Sequence, residues 1–178
     1  KSIQVNVIGT KNLFNSINEL NRKIWFFFAS TSHVYKPKNG LLTEKDITKP
    51  STFYGKTKLK AEKFLIKNEN KKVIVCIGRI FNIFHKNQKI PFFYPSMIAK
   101  CKKNKKINIK KLNLKNGNSV RDFTNAEKIA EIIFKLSEKK VRGIFNIGSG
   151  KKITLLKFIK KHINNKVDTK GIFKGDMV

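Results

Sequence analysis

Three short, uninterrupted apolar runs, separated by stretches of helical period, decide most of what this chain can fold into. Lys23–Ala29 reads KIWFFFA, Val73–Gly78 reads VIVCIG and Gly143–Ile147 reads GIFNI. A strand with one wet face alternates apolar with polar residues. A run without that alternation, rich in β-branched and aromatic side chains, reads as a strand covered on both faces, as in a parallel sheet flanked by helices. Between the runs, Ile3–Leu20 places Ile3, Val7, Leu13, Phe14, Ile17 and Leu20 on one helical stripe. Thr52–Asn68 points Phe53, Thr57, Ala61, Phe64 and Leu65 inward in the same way. Shorter helices are predicted over Ser96–Lys103, Thr124–Leu136 and Thr154–Ile163, and Ile107–Leu114 alternates weakly enough to read as a strand. Ser30–Ser51, with Pro37, Gly40 and Pro50, reads as loop. Helix and strand in regular alternation is the order of an α/β protein with a parallel sheet.

Ligands of such sheets bind beyond the carboxyl ends of the strands. That directs attention to Ser30, Thr31 and Ser32 after the first run, and to Arg79–Asn82 after the second. On the helix that follows the loop, Tyr54 and Lys58 stand four residues apart and so share a face. A lysine ammonium there favours the tyrosinate and lowers a phenol pKa that is otherwise about 10, toward general acid–base work at neutral pH. An ordinary exposed Tyr/Lys pair is the competing reading of so short a motif. The hydroxyls of Ala29–Tyr35, ASTSHVY, directly after an apolar strand, supply what an isolated pair lacks. A hydroxyl there can hold a substrate oxygen while Tyr54 exchanges its proton.

Charge raises a rival. Forty Lys and Arg against 11 Asp and Glu give a formal +29, a field that attracts nucleic acid, anionic membrane or phosphorylated small molecules. Only Arg22, Arg79, Arg121 and Arg142 are arginines, however. Nucleic-acid readers lean on arginine for bidentate contacts, whereas lysines spread over every segment also describe a solvated, compositionally biased surface. Lys100–Lys111 is the densest stretch. No apolar run reaches the roughly 18 residues of a membrane span, and Lys1–Asn21 does not read as a signal peptide. Cys76 and Cys101 cannot build a disulfide framework, which points to a reducing, cytoplasmic setting. His33, His85 and His162 are scattered without cysteine partners at ligand spacing, so no metal site is expected.

Taken together, the motifs resemble the extended short-chain dehydrogenase/reductases, specifically the NAD-dependent nucleotide-sugar epimerase/dehydratase group, over about Val5–Thr154. Val5-Asn-Val-Ile-Gly-Thr10 with Asn12-Leu13 resembles the helix before the catalytic strand, and Ser30-Thr-Ser-His-Val-Tyr35 the Ser/Thr motif. Glu44 to Pro50, then Tyr54, Lys58 and Glu62, resemble the approach and the catalytic helix. Gly78-Arg-Ile-Phe-Asn82, Val120-Arg-Asp-Phe123 and Gly143-Ile-Phe-Asn-Ile-Gly-Ser-Gly150 follow in the family's order.

The resemblance implies a partial Rossmann-like, doubly wound parallel sheet with part of a small C-terminal substrate lobe. Residues 1–85 would be core carrying the catalytic motifs. Residues 86–178 would be mainly substrate lobe, with segments returning to the core. Tyr54 is implied as the acid–base at a sugar oxygen, Lys58 as its tuner and the holder of the nicotinamide ribose, and Thr31 as the hydroxyl orienting the sugar. Ser30 joins Tyr54 and Lys58 as a cofactor contact, and Ser32, Asn82 and Arg121 join Thr31 as substrate contacts. A guanidinium suits two phosphate oxygens of a nucleotide diphosphate. Judged alone, Arg121 reads equally as a surface ion pair with Asp122 or Glu127, and Asn82 as a turn-forming amide.

NAD or NADP is the implied cofactor, a nucleotide-sugar for cell-surface polysaccharide the implied substrate, and a homodimer through the helices of Ile3–Leu20 and Thr52–Asn68 the implied assembly. The group's dehydratases carry an acidic residue shortly after the threonine. Here Ser32 and His33 stand instead, which points to 4-epimerisation or 4-keto reduction, with His33 as a further candidate proton donor. The glycine-rich G-x-x-G-x-x-G loop for the pyrophosphate does not occur, and Gly148-Ser-Gly150 stands at the wrong end for it. The chain therefore reads as a fragment of the family. A lysine-rich nucleic-acid-binding module and an inactive remnant are the alternatives.

Overall fold

The computed structural model describes residues 2–104 and 118–163, which form two compact units: Lys1–Phe81 with Lys128–Gly148, and Asn82–Glu127 with Ser149–Val178. A widely wound stretch, Gln4–Gly9, runs into α1 (Thr10–Glu19), followed by β1 (Ile24–Thr31), a tight turn Ser32–Val34 and α2 (Phe53–Asn68). Then come β2 (Val73–Ile80), β3 (Asn82–Phe84), α3 (Phe93–Asn104), β4 (Val120–Arg121) and β5 (Phe123–Asn125). The described chain ends with α4 (Ala126–Glu138), β6 (Gly143–Ile147), β7 (Ile153–Thr154) and α5 (Leu155–Ile163).

In the first unit the three apolar runs form one parallel sheet in the order β1-β2-β6. Register puts Phe26 beside Val75, and Phe28 in one row with Ile77 and Ile144. These side chains share the sheet face on which Phe14 of α1 and Ala61 and Leu65 of α2 pack. Phe14 meets Phe26 and Phe64 edge-on at 6.2 and 5.7 Å. Burying each such ring contributes about 2–3 kcal/mol, which is what holds both helices on this face. On the opposite face Trp25 and Phe27 stack at 5.8 Å, and Trp25 Nε1 donates to the Val141 carbonyl at 2.9 Å. Phe27 Cζ and Ile147 Cδ1 stand 2.5 and 2.6 Å from where a Cβ on Gly78 would be, so glycine is what lets that ring cross β2.

The strands therefore lie where the apolar runs predict, and two helical stripes differ from expectation. Ile3, Leu13 and Leu20 are exposed, while Val7 and Phe14 face in. Gln4–Gly9 is wound as a π-helix, and its wider turns shift the phase of the buried stripe. On α2, Phe53 is 60% exposed because it stands in the first turn, beside the cap at Thr52. The buried set is Gly55, Thr57, Ala61, Glu62 and Leu65. The helix starts where Thr52 Oγ1 accepts the Gly55 amide at 3.0 Å.

The second unit pairs β3 with β5 in parallel and β4 with β7 antiparallel. Strands of two or three residues are too short to show a period, which is why the sequence did not reveal them. Its core is aromatic: Phe158 stacks on Phe123 at 3.9 Å, Phe123 on Phe93 at 5.6 Å, and Phe84 meets Phe158 at 5.1 Å. The first division between the units falls after Phe81, and Lys128–Gly148 belongs with the first unit. The expected strand Ile107–Leu114 and most of the lysine-dense Lys100–Lys111 lie outside the described residues.

His162 sits 4.5 Å from Phe158 and 4.8 Å from Phe84, ring to ring. Burial, and then the neighbouring Lys161 charge, hold its imidazole below the usual histidine range. The unfolded chain thus binds a proton that the folded one refuses, so stability falls as pH drops below about 6.5. Denaturant unfolding at about pH 7.5 and about pH 5.5 is expected to show this loss in the parent, and a smaller one in His162→Phe. Equal slopes in the two proteins would contradict it.

Candidate active site

Helical spacing places Tyr54, Lys58 and Glu62 on one face of α2, and that face lies against the end of β1 and the turn after it. Lys58 Nζ donates to the Ala29 carbonyl at 2.9 Å and lies 4.7 Å above the Phe28 ring centroid. One turn further on, Glu62 accepts a hydrogen bond from Ser30 Oγ. At the other end of the face, the Tyr54 ring meets His33 edge-on at 6.4 Å. Between these contacts Thr31 Oγ1 accepts the His33 amide at 3.3 Å and caps the Ser32–Val34 turn. Gly55 makes the approach possible, because the His33 carbonyl oxygen occupies the place of its missing side chain. Sequence-distant Ser30, Thr31, Ser32, Tyr54 and Lys58 are thereby gathered on one strand end and one helix face, with Ser32 half-buried and Tyr54 46% exposed.

Two expectations change at this level. Lys58 lies 6.0 Å from the Tyr54 ring centroid, yet burial is what sets the phenol, and it pushes Tyr54 above its usual value. The direction is opposite to the lowering expected from the Tyr/Lys spacing, because desolvation disfavours the charged phenolate. Burial also pulls the Lys58 ammonium below its ordinary value, and the charge of Glu62 opposes that. Ser30, expected as a cofactor contact, is buried and gives its hydroxyl to Glu62. Thr31 is buried too, and among the described residues its oxygen accepts the His33 amide at 3.3 Å.

Sequence reasoning missed the partner of Glu62. Arg79 Nη2 reaches Glu62 Oε2 at 2.7 Å, its Nε lies 3.2 Å from both carboxylate oxygens, and both side chains are almost wholly buried. The available signal was Glu62 beside Ala61, a carboxylate next to a position that the helical stripe already pointed inward.

In the second unit, Asn82 bonds to the residue that follows Arg121. The Asn82 amide and its Nδ2 each donate to the Asp122 carbonyl at 3.1 Å. Arg121 is exposed, with Nη1 donating to the Val120 carbonyl at 2.9 Å. Among the described residues, Arg121 forms no ion pair with Asp122 or Glu127. Asp122 accepts the Ser149 amide at 2.9 Å, Ser149 Oγ at 2.7 Å and the Gly150 amide at 2.8 Å, while Glu127 lies 3.3 Å from His85. Asp122 is thus the residue that shapes the Ser149–Gly150 turn, a role its short motif did not disclose. Among the described residues no group of three or more His, Cys, Asp or Glu is placed to hold a metal ion. No helix among them is long and apolar enough to cross a membrane.

A family model described as GDP-mannose 4,6 dehydratase matches residues 1–177. The GDP-6-deoxy-D-talose 4-dehydrogenase of Aggregatibacter actinomycetemcomitans is 34% identical over 150 residues, 82% of this chain and 49% of its own. Among solved structures, UDP-glucuronic acid 4-epimerase from Bacillus cereus in complex with NAD is 26% identical, with a TM-score of 0.77 over 94% of this chain and 54% of that one. The dTDP-glucose 4,6-dehydratase of Bacillus anthracis str. Ames in complex with NAD, at 23% identity, shares the fold with a TM-score of 0.79 over 96% of this chain and 55% of that one. The chain thus spans about half the length of these relatives.

Proposed function

This chain belongs to the GDP-mannose 4,6 dehydratase family, within the NAD-dependent epimerase/dehydratase proteins, and on that premise we propose that it carries the acid–base site of an NAD(P)-dependent nucleotide-sugar 4-epimerase or 4-keto reductase. The observation that carries this reading is the single face of α2 that sets Tyr54 and Lys58 against the strand end bearing Thr31.

The residues present suit the nicotinamide riboside end of the cofactor. An ammonium has three N–H donors, and Lys58 uses one on Ala29, which leaves others for ribose hydroxyls. The adenosine and pyrophosphate end has no such counterpart, since the sequence contains no glycine-rich strand-to-helix loop. When bound, the nicotinamide supplies hydride exchange with the sugar carbon.

The protein's own groups handle the proton and the orientation. A phenol held above its usual pKa is protonated at neutral pH, the form that gives a proton to a 4-keto oxygen as it becomes an alkoxide. The reverse direction needs the phenolate, which the Lys58 charge favours once the ammonium lies near the phenol oxygen. The Thr31 hydroxyl, on the same strand end, would orient that same sugar oxygen. Exposed Arg121 suits a nucleotide diphosphate. Water elimination is left out of this reading because Ser32 and His33, not a carboxylate, follow Thr31. A role in polysaccharide precursors, in the reducing cytoplasm, belongs to the same reading.

The test is direct. The protein is incubated with NAD or NADP and with GDP-6-deoxytalose, UDP-glucuronic acid and dTDP-glucose in turn, and nicotinamide absorbance is followed. The C4 configuration of each product is read by NMR. Reduced nicotinamide with a 4-keto sugar means dehydrogenase and reductase chemistry, and inversion without net reduction means epimerase. Neither turnover nor binding of any nucleotide-sugar would remove the proposal.

A further inference from the structure

Ser30, Arg79 and Asn146 form one row across the sheet, because Ser30 is the register partner of Arg79 on β2 and Arg79 of Asn146 on β6. All three point to the face covered by α1 and α2, two residues beyond the apolar row of Phe28, Ile77 and Ile144. Polar side chains bridge the row. Glu62 of α2 joins Ser30 to Arg79, and the Arg79 guanidinium lies 4.7 Å over the Tyr35 ring. Tyr35 donates its hydroxyl to Asn146 Oδ1 at 2.7 Å, and Asn146 Nδ2 donates to the Leu42 carbonyl at 3.0 Å. The polar row thus ties α2, the turn after β1 and the following loop to the three strand ends.

A buried ion pair such as Glu62–Arg79 is seldom more stabilising than well-packed apolar side chains in its place. What it adds is direction. Apolar contacts allow a helix to slide by fractions of an ångström, whereas hydrogen bonds to defined atoms do not. Lys58 and Glu62, one turn apart, bond to Ala29 and Ser30, consecutive on β1. Two such points fix both the translation and the rotation of α2 on the strand. Accordingly, we propose that Glu62, braced by Arg79, is a positioning residue that clamps α2 onto the end of β1 and so sets Tyr54 and Lys58 relative to Thr31. The electrostatics agree, since the Glu62 carboxylate favours the charged form of Lys58. The proposal deepens the enzymatic reading above and rests on it for its catalytic consequence.

The clamp is tested in the full chain with Ser30→Ala, Glu62→Gln and the hydroxyl-retaining Ser30→Thr. Each is labelled with acetyl N-hydroxysuccinimide, and the rates at Lys58 and at exposed Lys60 are compared by mass spectrometry. In Ser30→Ala and Glu62→Gln, Lys58 is expected to be acylated several times faster than in the parent with Lys60 unchanged, and Ser30→Thr to restore protection. On a nucleotide-sugar that the parent turns over, kcat falls by about ten- to a hundredfold with KM little altered. Should Glu62→Gln fail to fold, Ser30→Ala still decides, because it keeps the ion pair. Parent-like labelling of Lys58 in a folded Ser30→Ala would overturn the clamp. If instead no nucleotide-sugar is turned over, the enzymatic reading fails while the labelling still judges the clamp.

Discussion

Replacing Tyr54 by phenylalanine is expected to lower turnover by about two to four orders of magnitude while leaving the fold intact. Tyr54 is 46% exposed, and its contact with His33 is made by the ring, which phenylalanine keeps. Among the described residues its hydroxyl is not tied into the hydrogen-bonded network that holds α2, so removing it leaves no buried group without a partner. The whole effect should therefore fall on the chemical step. In the direction of sugar oxidation, the parent's kcat/KM should rise with pH as the raised phenol ionises, and that limb should vanish in Tyr54→Phe. Thermal unfolding and circular dichroism check the fold, and single-turnover rates check the step. A folded Tyr54→Phe protein with parent-like turnover would end the acid–base assignment.

Gly55→Ala is expected to destabilise the protein by about 2–3 kcal/mol and to lower activity as well, although the helix scale alone predicts a gain of about 1 kcal/mol. An added Cβ would collide with the His33 carbonyl oxygen and stand 2.9 Å from Pro50 Cβ and 3.0 Å from the His33 carbonyl carbon. Two of these three atoms are main chain, and a side-chain rotation cannot move them aside. Either α2 or the turn after β1 must give way, and Tyr54 is the residue immediately before Gly55. Urea unfolding midpoints, read with kcat, distinguish the outcomes. A variant at least as stable as the parent would show that the close approach is not structural.

The fold class was legible because apolar runs as continuous as VIVCIG have few ways to be covered, and the parallel β1-β2-β6 sheet is the one adopted. The grouping of Tyr54, Lys58 and Glu62 was legible too, since helical spacing alone puts them on one face. Less could be read where an outcome depended on what stood opposite. Phe53 lay on the expected apolar stripe but faces solvent, and Ser30 carried the motif's hydroxyl but gives it to Glu62. The ladders β3 with β5 and β4 with β7 are too short to leave a period in the sequence.

Periodicity and residue type, both local, determined by themselves the three strands of the main sheet, the helices that alternate with them, and which side chains could do acid–base chemistry. Tertiary structure alone decided the direction in which the Tyr54 phenol shifts, the pairing of Glu62 with Arg79, and the use of Asp122 to shape the Ser149–Gly150 turn. The reason is physical. A helical or strand pattern is set by the chain's own geometry, whereas desolvation and hydrogen-bond pairing depend on atoms brought within a few ångströms from distant parts of the chain.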